Sequence, residues 1–199
     1  MKEPAYWNHN VAYYPWIKKE TEGCKCILDV GCGDGSLLSY LDDGSHELYG
    51  IDIDKFAIDR AKEANGSEKI SYEIASFDEI DENEKYDAIV FVASIHHMNM
   101  SDTLQKAKKM LSTGGKLVIV GLAKPSTLTD RIIEAGRVLP SRIITKKHQK
   151  NASENEFKPV VSFDMPNLND VRKIISEEIP YASWRQALHY RYLLTWIKE

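Results

Sequence analysis

The chain has 199 residues, 43% of them hydrophobic, which is enough for one domain with a sizeable core. The formal net charge is −4 and the basic residues are spread along the chain, so nothing favours a nucleic-acid or anionic-membrane partner. The opening MKEPAYWNHN lacks the apolar core of a signal peptide, and no apolar run approaches the length of a membrane span. We therefore expect a single domain, residues 1–199, that resides in the cytoplasm.

The three cysteines, Cys24, Cys26 and Cys32, are an odd number in one short stretch. A framework of disulfides needs pairs, so this arrangement indicates a reduced compartment. Cys24 and Cys26 have a spacing that can begin a zinc site, but no second Cys pair or His pair follows at ligand spacing. We predict no metal site and interpret the cysteines as small buried residues entering a strand.

Between residues 26 and 121, short β-branched or apolar runs alternate with helix-patterned stretches. This alternation is typical of successive βαβ units and predicts an α/β fold with three layers and a parallel sheet. The expected strands are Cys26–Val30, Glu47–Ile51, Ile70–Ile74, Asp87–Val92 and Lys116–Gly121. The expected helices run from a cap at Asp54 to Ala64 and from a cap at Ser101 to Leu111.

The pattern changes after Gly121. A helix-like run, Thr127–Leu139, is followed by a polar stretch, Lys146–Lys158, that has little periodicity. We interpret residues 122–168 as an insertion in the domain and not as a linker between two domains.

The last part of the chain, residues 169–199, predicts one helix and two strands. Asn169 or Asp170 can cap the helix, which ends at Glu178 before a proline. Two strand-like runs follow, Ser183–Tyr190 and Tyr192–Lys198. We expect them to form an antiparallel pair at an edge of the sheet.

The most informative segment is the glycine-rich loop after the first strand, with the sequence DVGCGDGS. Alternate glycines let the backbone approach a ligand where side chains would collide. Asp29 and Asp34 flank a G-x-G-x-G spacing, which differs from the G-x-G-x-x-G of dinucleotide-binding loops. Two carboxylates would repel a pyrophosphate but suit a cation, so electrostatics favours S-adenosylmethionine (SAM) over NAD. The alternative interpretation of this loop is that the protein is a nucleotide-binding oxidoreductase.

A second acid, Asp52, follows the glycine loop by about twenty residues, at the end of the second predicted strand. A doubly wound fold presents a carboxylate there to the ribose hydroxyls of an adenosine cofactor. The alternative is an acid in a solvated turn. We interpret the neighbouring Asp54 as a helix cap.

Four segments resemble, in order and spacing, the motifs of the class I SAM-dependent methyltransferase superfamily, particularly the small methyltransferases related to ubiquinone and menaquinone biosynthesis enzymes. They are DVGCGDG at 29–35, GIDID at 50–54, YDAIVFVASIHHM at 86–98 and LSTGGKLVIV at 111–120. The resemblance implies a Rossmann-like, doubly wound sheet of seven strands in the order 3-2-1-4-5-7-6, with the last strand antiparallel. None of the four motifs is specific for the methyl acceptor.

The resemblance also implies which residues bind SAM and its product, S-adenosylhomocysteine (SAH). They are Asp29, Gly31, Cys32 and Gly33 at the methionine part, Asp52 with Ile53 at the ribose, Ser76 and Phe77 at the adenine, and Val92 and Ala93 beside the sulfonium. Many relatives carry an acid in place of Ser76, but a serine hydroxyl can still exchange a hydrogen bond with the adenine amino group.

Methyl transfer from a sulfonium is an in-line displacement whose leaving group needs no proton, so the protein must chiefly align the reactants and exclude water. A base is required only when the acceptor carries a proton. His96 and His97 follow the fourth strand, where ligands bind in open α/β sheets, and are candidate bases. Tyr13 is a weaker candidate. A histidine at this place can equally serve only to bind backbone.

Two further segments bear on the acceptor. Residues 1–25 hold dense aromatic, amide and imidazole groups, which suit either a lid over the site or an ordinary capping helix. The cluster from Arg142 to Lys150 is a local basic patch, which is either solvated or binds a polyanion. We interpret residues 122–168 as an acceptor-side cover that selects a small molecule. An RNA or protein methyltransferase and a non-catalytic SAM-binding module are the alternatives, and the oligomeric state is open.

Overall fold

The computed structural model describes residues 8–132 and 165–199. The strands, β1 to β7 in chain order, are Cys26–Val30, Glu47–Asp52, Ile70–Ile74, Tyr86–Val92, Leu111–Leu122, Ser183–Gln186 and Arg191–Ile197. The α-helices, α1 to α5 in chain order, are Tyr14–Glu20, Ser36–Leu41, Lys55–Asn65, Met100–Met110 and Leu168–Glu178. Short 3-10 helices occupy Val11–Tyr13, Phe77–Glu79 and Ile95–His97, and residues 128–132 are helical.

The seven strands form one sheet in the order β3-β2-β1-β4-β5-β7-β6, which confirms the order implied by the sequence motifs. Strands β1 to β5 pair in parallel, and β7 runs antiparallel between β5 and β6. The chain order reverses at β1, which pairs with β2 on one side and β4 on the other. Open α/β sheets bind ligands in the crevice outside the strand ends at such a reversal.

Alternate side chains of the central strands enter two separate hydrophobic cores. On β5, Leu117 and Ile119 pack in the core that includes α4 and α5, whereas Val118 and Val120 pack in the core that includes α1, α2 and α3. All four side chains are fully buried. Strands covered by helices on both faces read as continuous apolar runs, which is why the sequence shows them clearly. The predicted three-layer α/β class is confirmed.

Two helices begin earlier than the sequence predicted: α4 after Asn99 instead of Ser101, and α5 after Asn167 instead of Asn169 or Asp170. The side chain of Asn99 accepts a hydrogen bond from Asp102 N at 3.4 Å. The earlier start of α5 buries Leu168, which is 4% exposed, so packing and not the polar residues sets the boundary. The predicted cap of α3 is confirmed, because the side chain of Asp54 accepts from Phe56 N at 2.8 Å.

Five strands also differ from their predicted bounds: β2 and β4 are each longer by one residue, and β5, β6 and β7 also differ. Strand β5 begins at Leu111 instead of Lys116, because β4 pairs with it from Tyr86 onward. Strand β6 ends at Gln186 and β7 begins at Arg191, because the chain between them turns through left-handed backbone. The antiparallel pair itself is confirmed.

Other sequence predictions have partial outcomes. The three cysteines are free thiols, as predicted. Most of the predicted insertion, including the stretch Lys146–Lys158 and the basic cluster, lies outside the described residues. None of the helices within residues 8–132 and 165–199 combines the length and apolar character needed to cross a membrane.

Candidate functional site

The glycine turn, residues 31–35, joins β1 to α2 at the crevice. Its three glycines, Gly31, Gly33 and Gly35, all have left-handed φ angles, of 75°, 56° and 76°. A Cβ on Gly31 would lie 2.5 Å from the Cβ of Ser94, and a Cβ on Gly35 would collide with the ring of Tyr72. A Cβ on Gly33 would have no atom within 4 Å. Gly31 and Gly35 are thus required for packing, whereas the backbone of Gly33 is open to a ligand.

Asp29 lies just before the glycine turn, in β1, and is 2% exposed. Its Oδ1 atom is buried and has no hydrogen-bond partner among the residues the structure describes. Burial, and then the charge of Asp52, raise the pKa of Asp29 to about 8. Buried polar atoms are almost always paired, so this oxygen fits a bound group that donates hydrogen bonds or carries positive charge, as the methionine end of SAM does.

Asp52 ends β2 and holds the glycine turn in place. Its Oδ2 accepts from Gly33 N and its Oδ1 from Asp54 N, both at 2.9 Å. A carboxylate offers about four lone-pair positions, so roughly two stay available for hydroxyl donors such as those of a ribose. Ile53, the next residue, is 76% exposed and offers an apolar surface beside that carboxylate.

The turn after β3 constrains the two residues predicted at the adenine. The backbone N–H of Ser76 donates to Glu79 Oε2 at 2.8 Å, so this N–H is already used within the turn. The Phe77 ring is 3% exposed and packs edge-on against Phe91, with 5.6 Å between ring centroids. Phe77 can therefore offer a ligand its backbone but not its ring.

The backbone after β4 is fastened to both neighbouring strands. Ala93, which follows the last β4 residue Val92, has a left-handed φ of 55°, and its N–H donates to Val120 O at 2.8 Å. Ser94 Oγ donates to Val30 O at 2.5 Å. Ser94 was not singled out from the sequence, although a small residue directly after the fourth strand was the available signal. It sets how closely this backbone approaches the glycine turn.

The carboxylate of Asp34, which the sequence predicts to flank a cationic ligand, binds the start of the following helix. Its Oδ1 accepts from Ser36 N at 3.2 Å and from Ser36 Oγ at 2.7 Å. The side chain thus stabilises the start of α2. Cys32 lies beside it in the turn and is buried.

The two candidate histidines lie in the 3-10 turn after β4, with their rings 3.9 Å apart. His97 is exposed, whereas His96 is half-buried and its Nδ1 has no hydrogen-bond partner within residues 8–132 and 165–199. Burial, and then the charges of His97 and Arg191, lower the pKa of His96 to about 4. The His96 imidazole is therefore neutral at physiological pH, with one buried nitrogen unused.

The N-terminal segment reaches the same end of the sheet. Asn10 Oδ1 accepts from Arg191 Nη2 at 2.6 Å and from Arg191 Nε at 3.2 Å. Tyr13 Oη donates to Leu188 O at 3.0 Å. These bonds attach residues 8–13 to the turn between β6 and β7, so Tyr13 acts here as a tether. The predicted strands left Arg191 between them, and the sequence gave no sign of its contact with Asn10.

A second histidine pair joins the same two segments. The rings of His9 and His189 lie 3.8 Å apart. His189 and Tyr190 are consecutive non-glycine residues with left-handed φ angles of 60° and 58°. Backbone strain of this kind persists only where the surroundings enforce it and is concentrated at functional sites.

A groove of about 550 Å³ lies elsewhere, on the last two strands, and its lining includes Trp16, Trp184 and Trp196. None of the predicted site residues lines it. Because Trp196 is next to the last residue of β7, whereas Arg191 at the start of β7 lies at the crevice end, this groove lies toward the opposite end of the sheet.

The sheet order, the glycine turn after β1 and the acid at the end of β2 are those expected of an α/β SAM-dependent methyltransferase. Comparisons agree: a family model described as a methyltransferase domain matches residues 28–119. An uncharacterised methyltransferase of Mycobacterium tuberculosis is 28% identical to this chain, and the alignment covers 98% of each of the two chains.

Two solved structures share the fold. The plantazolicin methyltransferase BpumL, in complex with a desmethyl substrate analogue and SAH, has a TM-score of 0.64 at 16% identity, covering 94% of this chain and 82% of that one. The magnesium protoporphyrin IX methyltransferase of Synechocystis PCC 6803, with bound SAH, has a TM-score of 0.59 at 16% identity, covering 96% and 81%. The family model, the relatives and the solved structures all support a class I SAM-dependent methyltransferase.

Proposed function

We propose that the protein transfers the methyl group of SAM to a small-molecule acceptor, bound where β4 and β5 end beneath the N-terminal segment. The observation that carries this proposal is the attachment of residues 8–13 to the β6–β7 turn, through the Asn10–Arg191 and Tyr13–Leu188 hydrogen bonds. A segment fastened across the acceptor side supports an enclosed site that excludes water and suits a small acceptor.

SAM supplies a methyl group on a sulfonium, which makes that methyl an electrophile. On the protein side, Asp29 offers its unpartnered oxygen to the positive methionine end, and Asp52 offers its remaining lone pairs to the ribose. The open backbone of Gly33 lets the ligand approach closely. The other proposed contacts are Gly31, Cys32, Ile53, Ser76, the backbone of Phe77, Val92 and Ala93.

We assign His96, and not His97, as the base for an acceptor that carries a proton. His96 is neutral at physiological pH and has a buried unused nitrogen, whereas His97 is exposed. Tyr13 is a positioning residue, because its hydroxyl is donated to a backbone carbonyl.

The alternatives from the sequence are an RNA or protein methyltransferase and a non-catalytic SAM-binding module. The basic cluster that favours a polyanionic acceptor, Arg142 to Lys150, lies outside the described residues. Cytoplasmic residence also stays a prediction.

The test is methyl transfer from labelled SAM to separated small-molecule, RNA and protein fractions of a cell extract. We expect label in the small-molecule fraction, and slower transfer by His96→Gln with unchanged SAH affinity. The matched control is His97→Gln, which should transfer at nearly the wild-type rate. Label confined to RNA or protein would contradict the small-molecule acceptor, and tight SAH binding without any transfer would favour the silent module.

A further inference from the structure

Arg191, the first residue of β7, is a half-buried cation, and the groups that bind it among residues 8–132 and 165–199 are neutral. Its acceptors are Asn10 Oδ1, at 2.6 Å and 3.2 Å, and His189 O at 3.1 Å. None of the ion pairs within residues 8–132 and 165–199 includes it. Guanidinium has five N–H donors, so these three hydrogen bonds leave two for a ligand. A desolvated cation without an anionic partner is costly, which points to a partner that arrives from outside.

The position of Arg191 is the acceptor end of the sheet. The β5–β7 register pairs it with Leu122, the last residue of β5. Two residues earlier in β5, Val120 pairs with the last residue of β4, and its carbonyl oxygen accepts a hydrogen bond from the N–H of Ala93. Arg191 therefore lies at the end of the sheet where β4 and β5 end, next to the 3-10 turn that contains His96. The strained residues His189 and Tyr190 directly precede it and fix its approach.

The groups around Arg191 add no compensating charge. Burial and the charge of Arg191 lower the pKa of His9. Burial, the charge of His9 and that of Arg191 lower the pKa of His189 to about 4, and Arg191 contributes likewise at His96. All three imidazoles are thus neutral at physiological pH. The cluster carries one positive charge, on the guanidinium.

We propose that the methyl acceptor is an acidic small molecule whose oxyanion group, a carboxylate or a phosphate, binds Arg191. The proposal rests on the proposed function, because it assigns the acceptor pocket of that same site. A planar guanidinium with two available N–H groups binds such oxyanions through charge-assisted hydrogen bonds. Burial and the charge of His97 lower the pKa of His96 more than Arg191 does, but a bound anion would offset the Arg191 contribution and so make that imidazole a stronger base when the acceptor is in place.

The probes are benzoate, phenyl phosphate and benzamide, titrated by NMR into protein saturated with SAH. Benzamide has nearly the shape of benzoate but no charge. We expect the better of the two anions to bind at least about tenfold tighter than benzamide. Which anion binds more tightly identifies the oxyanion as carboxylate or phosphate.

Three variants test whether Arg191 is responsible. Arg191→Met removes the charge and keeps the aliphatic stem, and Arg185→Met makes the same change at an exposed position of β6. Arg191→Met leaves Asn10 without its hydrogen-bond donor, so Asn10→Asp provides a second test. It places a carboxylate 2.6 Å from Arg191 Nη2, and this carboxylate neutralises the charge of the guanidinium. We expect Arg191→Met and Asn10→Asp to bind the anions no better than benzamide, and Arg185→Met to bind them as wild type does. Asn10→Asp should also raise Tm.

Equal binding of the anions and benzamide, or no binding of either anion, overturns the proposal. Undiminished anion binding by folded Asn10→Asp or Arg191→Met overturns it too. SAH affinity, measured on the same samples, separates the two hypotheses. Wild-type protein that does not bind SAH contradicts the proposed function, whereas normal SAH binding without preference for an anion contradicts only the acidic acceptor.

Discussion

A single buried carboxyl, Asp29, links the SAM crevice to the pH dependence of the protein. Its pKa rises on folding from 3.8 to about 8, first because of burial and then because of the charge of Asp52. A group with a raised folded pKa contributes stability that is complete below its unfolded pKa and is lost as pH rises through its folded pKa. Asp29 therefore makes the free protein less stable as pH rises from about 4 to about 8.

We predict that Asp29→Asn flattens this decline and weakens SAH binding. Urea unfolding at about pH 5 and about pH 8 should show a smaller loss of unfolding free energy than in wild type, since an amide does not titrate. Calorimetry should show SAH binding weakened about ten- to a hundredfold, the range for losing a hydrogen bond to a charged group. If the stability of Asp29→Asn depends on pH as that of the wild type does, Asp29 is not a buried carboxyl with a raised pKa.

Three of the glycines with left-handed φ angles, two in the glycine turn and one outside it, permit a matched comparison. Gly33→Ala should fold, at a cost of about 1–2 kcal/mol for the left-handed backbone, but lose SAH binding because its methyl group enters the open space. Gly44→Ala carries similar strain, also without a neighbour within 4 Å, in the turn before β2, and should bind SAH normally. Gly31→Ala should unfold more easily than either, because its Cβ meets Ser94. Equal SAH affinity of the Gly33 and Gly44 variants, measured by calorimetry, would remove Gly33 from the site.

At the scale of elements, one carboxylate holds three parts of the chain together. Asp130 is 2% exposed; its Oδ1 accepts from Arg172 Nη2 at 2.7 Å and from Gln186 Nε2 at 2.8 Å, and its Oδ2 accepts from Thr127 N at 3.0 Å. The helical residues 128–132 are thereby joined to α5 and β6. These hydrogen bonds, with that from Arg172 the strongest, hold the pKa of Asp130 well below its usual range.

We predict that Asp130→Asn lowers the free energy of unfolding at neutral pH by about 2 kcal/mol, or Tm by several degrees. A carboxyl with a lowered folded pKa contributes stability above its unfolded pKa and loses it as pH falls, so the difference from wild type should shrink toward about pH 3. The control is Asp59→Asn, which breaks an exposed pair with Lys55 and should change stability by at most about 0.5 kcal/mol. Thermal unfolding of both variants makes the comparison, and equal effects would contradict the role of Asp130.

Whether a segment is a helix or a strand was predictable from the sequence, because this depends on the local periodicity of apolar residues. Where each helix or strand begins and ends depends on contacts made after folding. The cap at Asp54 was predicted because its bond to Phe56 lies within the same turn. The start of α5 was not, because burial of Leu168 against distant residues decides it. The ends of β6 and β7 were missed for a related reason, since nothing in the residue types of His189 and Tyr190 requires left-handed backbone.

At the scale of the whole molecule, a ligand that binds only the folded state must raise Tm. At a SAH concentration about 100 times Kd, linkage adds about 2.7 kcal/mol, which corresponds to roughly 5–10 °C for a chain of this length. NAD, the cofactor of the alternative oxidoreductase, should cause no such shift. A thermal-shift assay with both ligands checks the prediction, and stabilisation by NAD but not by SAH would reverse the choice between the two cofactors.

The two halves of the site differ in how far the sequence could predict them. The SAM half is carried by residues that are close in sequence, such as Gly33 and Asp52, which are 19 positions apart and directly hydrogen-bonded. The proposed acceptor half depends on Asn10 and Arg191, which are 181 positions apart. No local pattern records such a contact, so only the folded chain brings the two residues together.

The final strand of the sheet is not at its margin: β7 lies between β5 and β6. A nascent chain that has not yet released residues 191–197 from the ribosome leaves β5 with an unpaired edge and β6 with nothing to join. The same residues bring in Arg191 and, through it, fasten Asn10. During synthesis the glycine turn and its supporting strands can therefore form early, while the proposed acceptor pocket is assembled only in the step that completes the sheet.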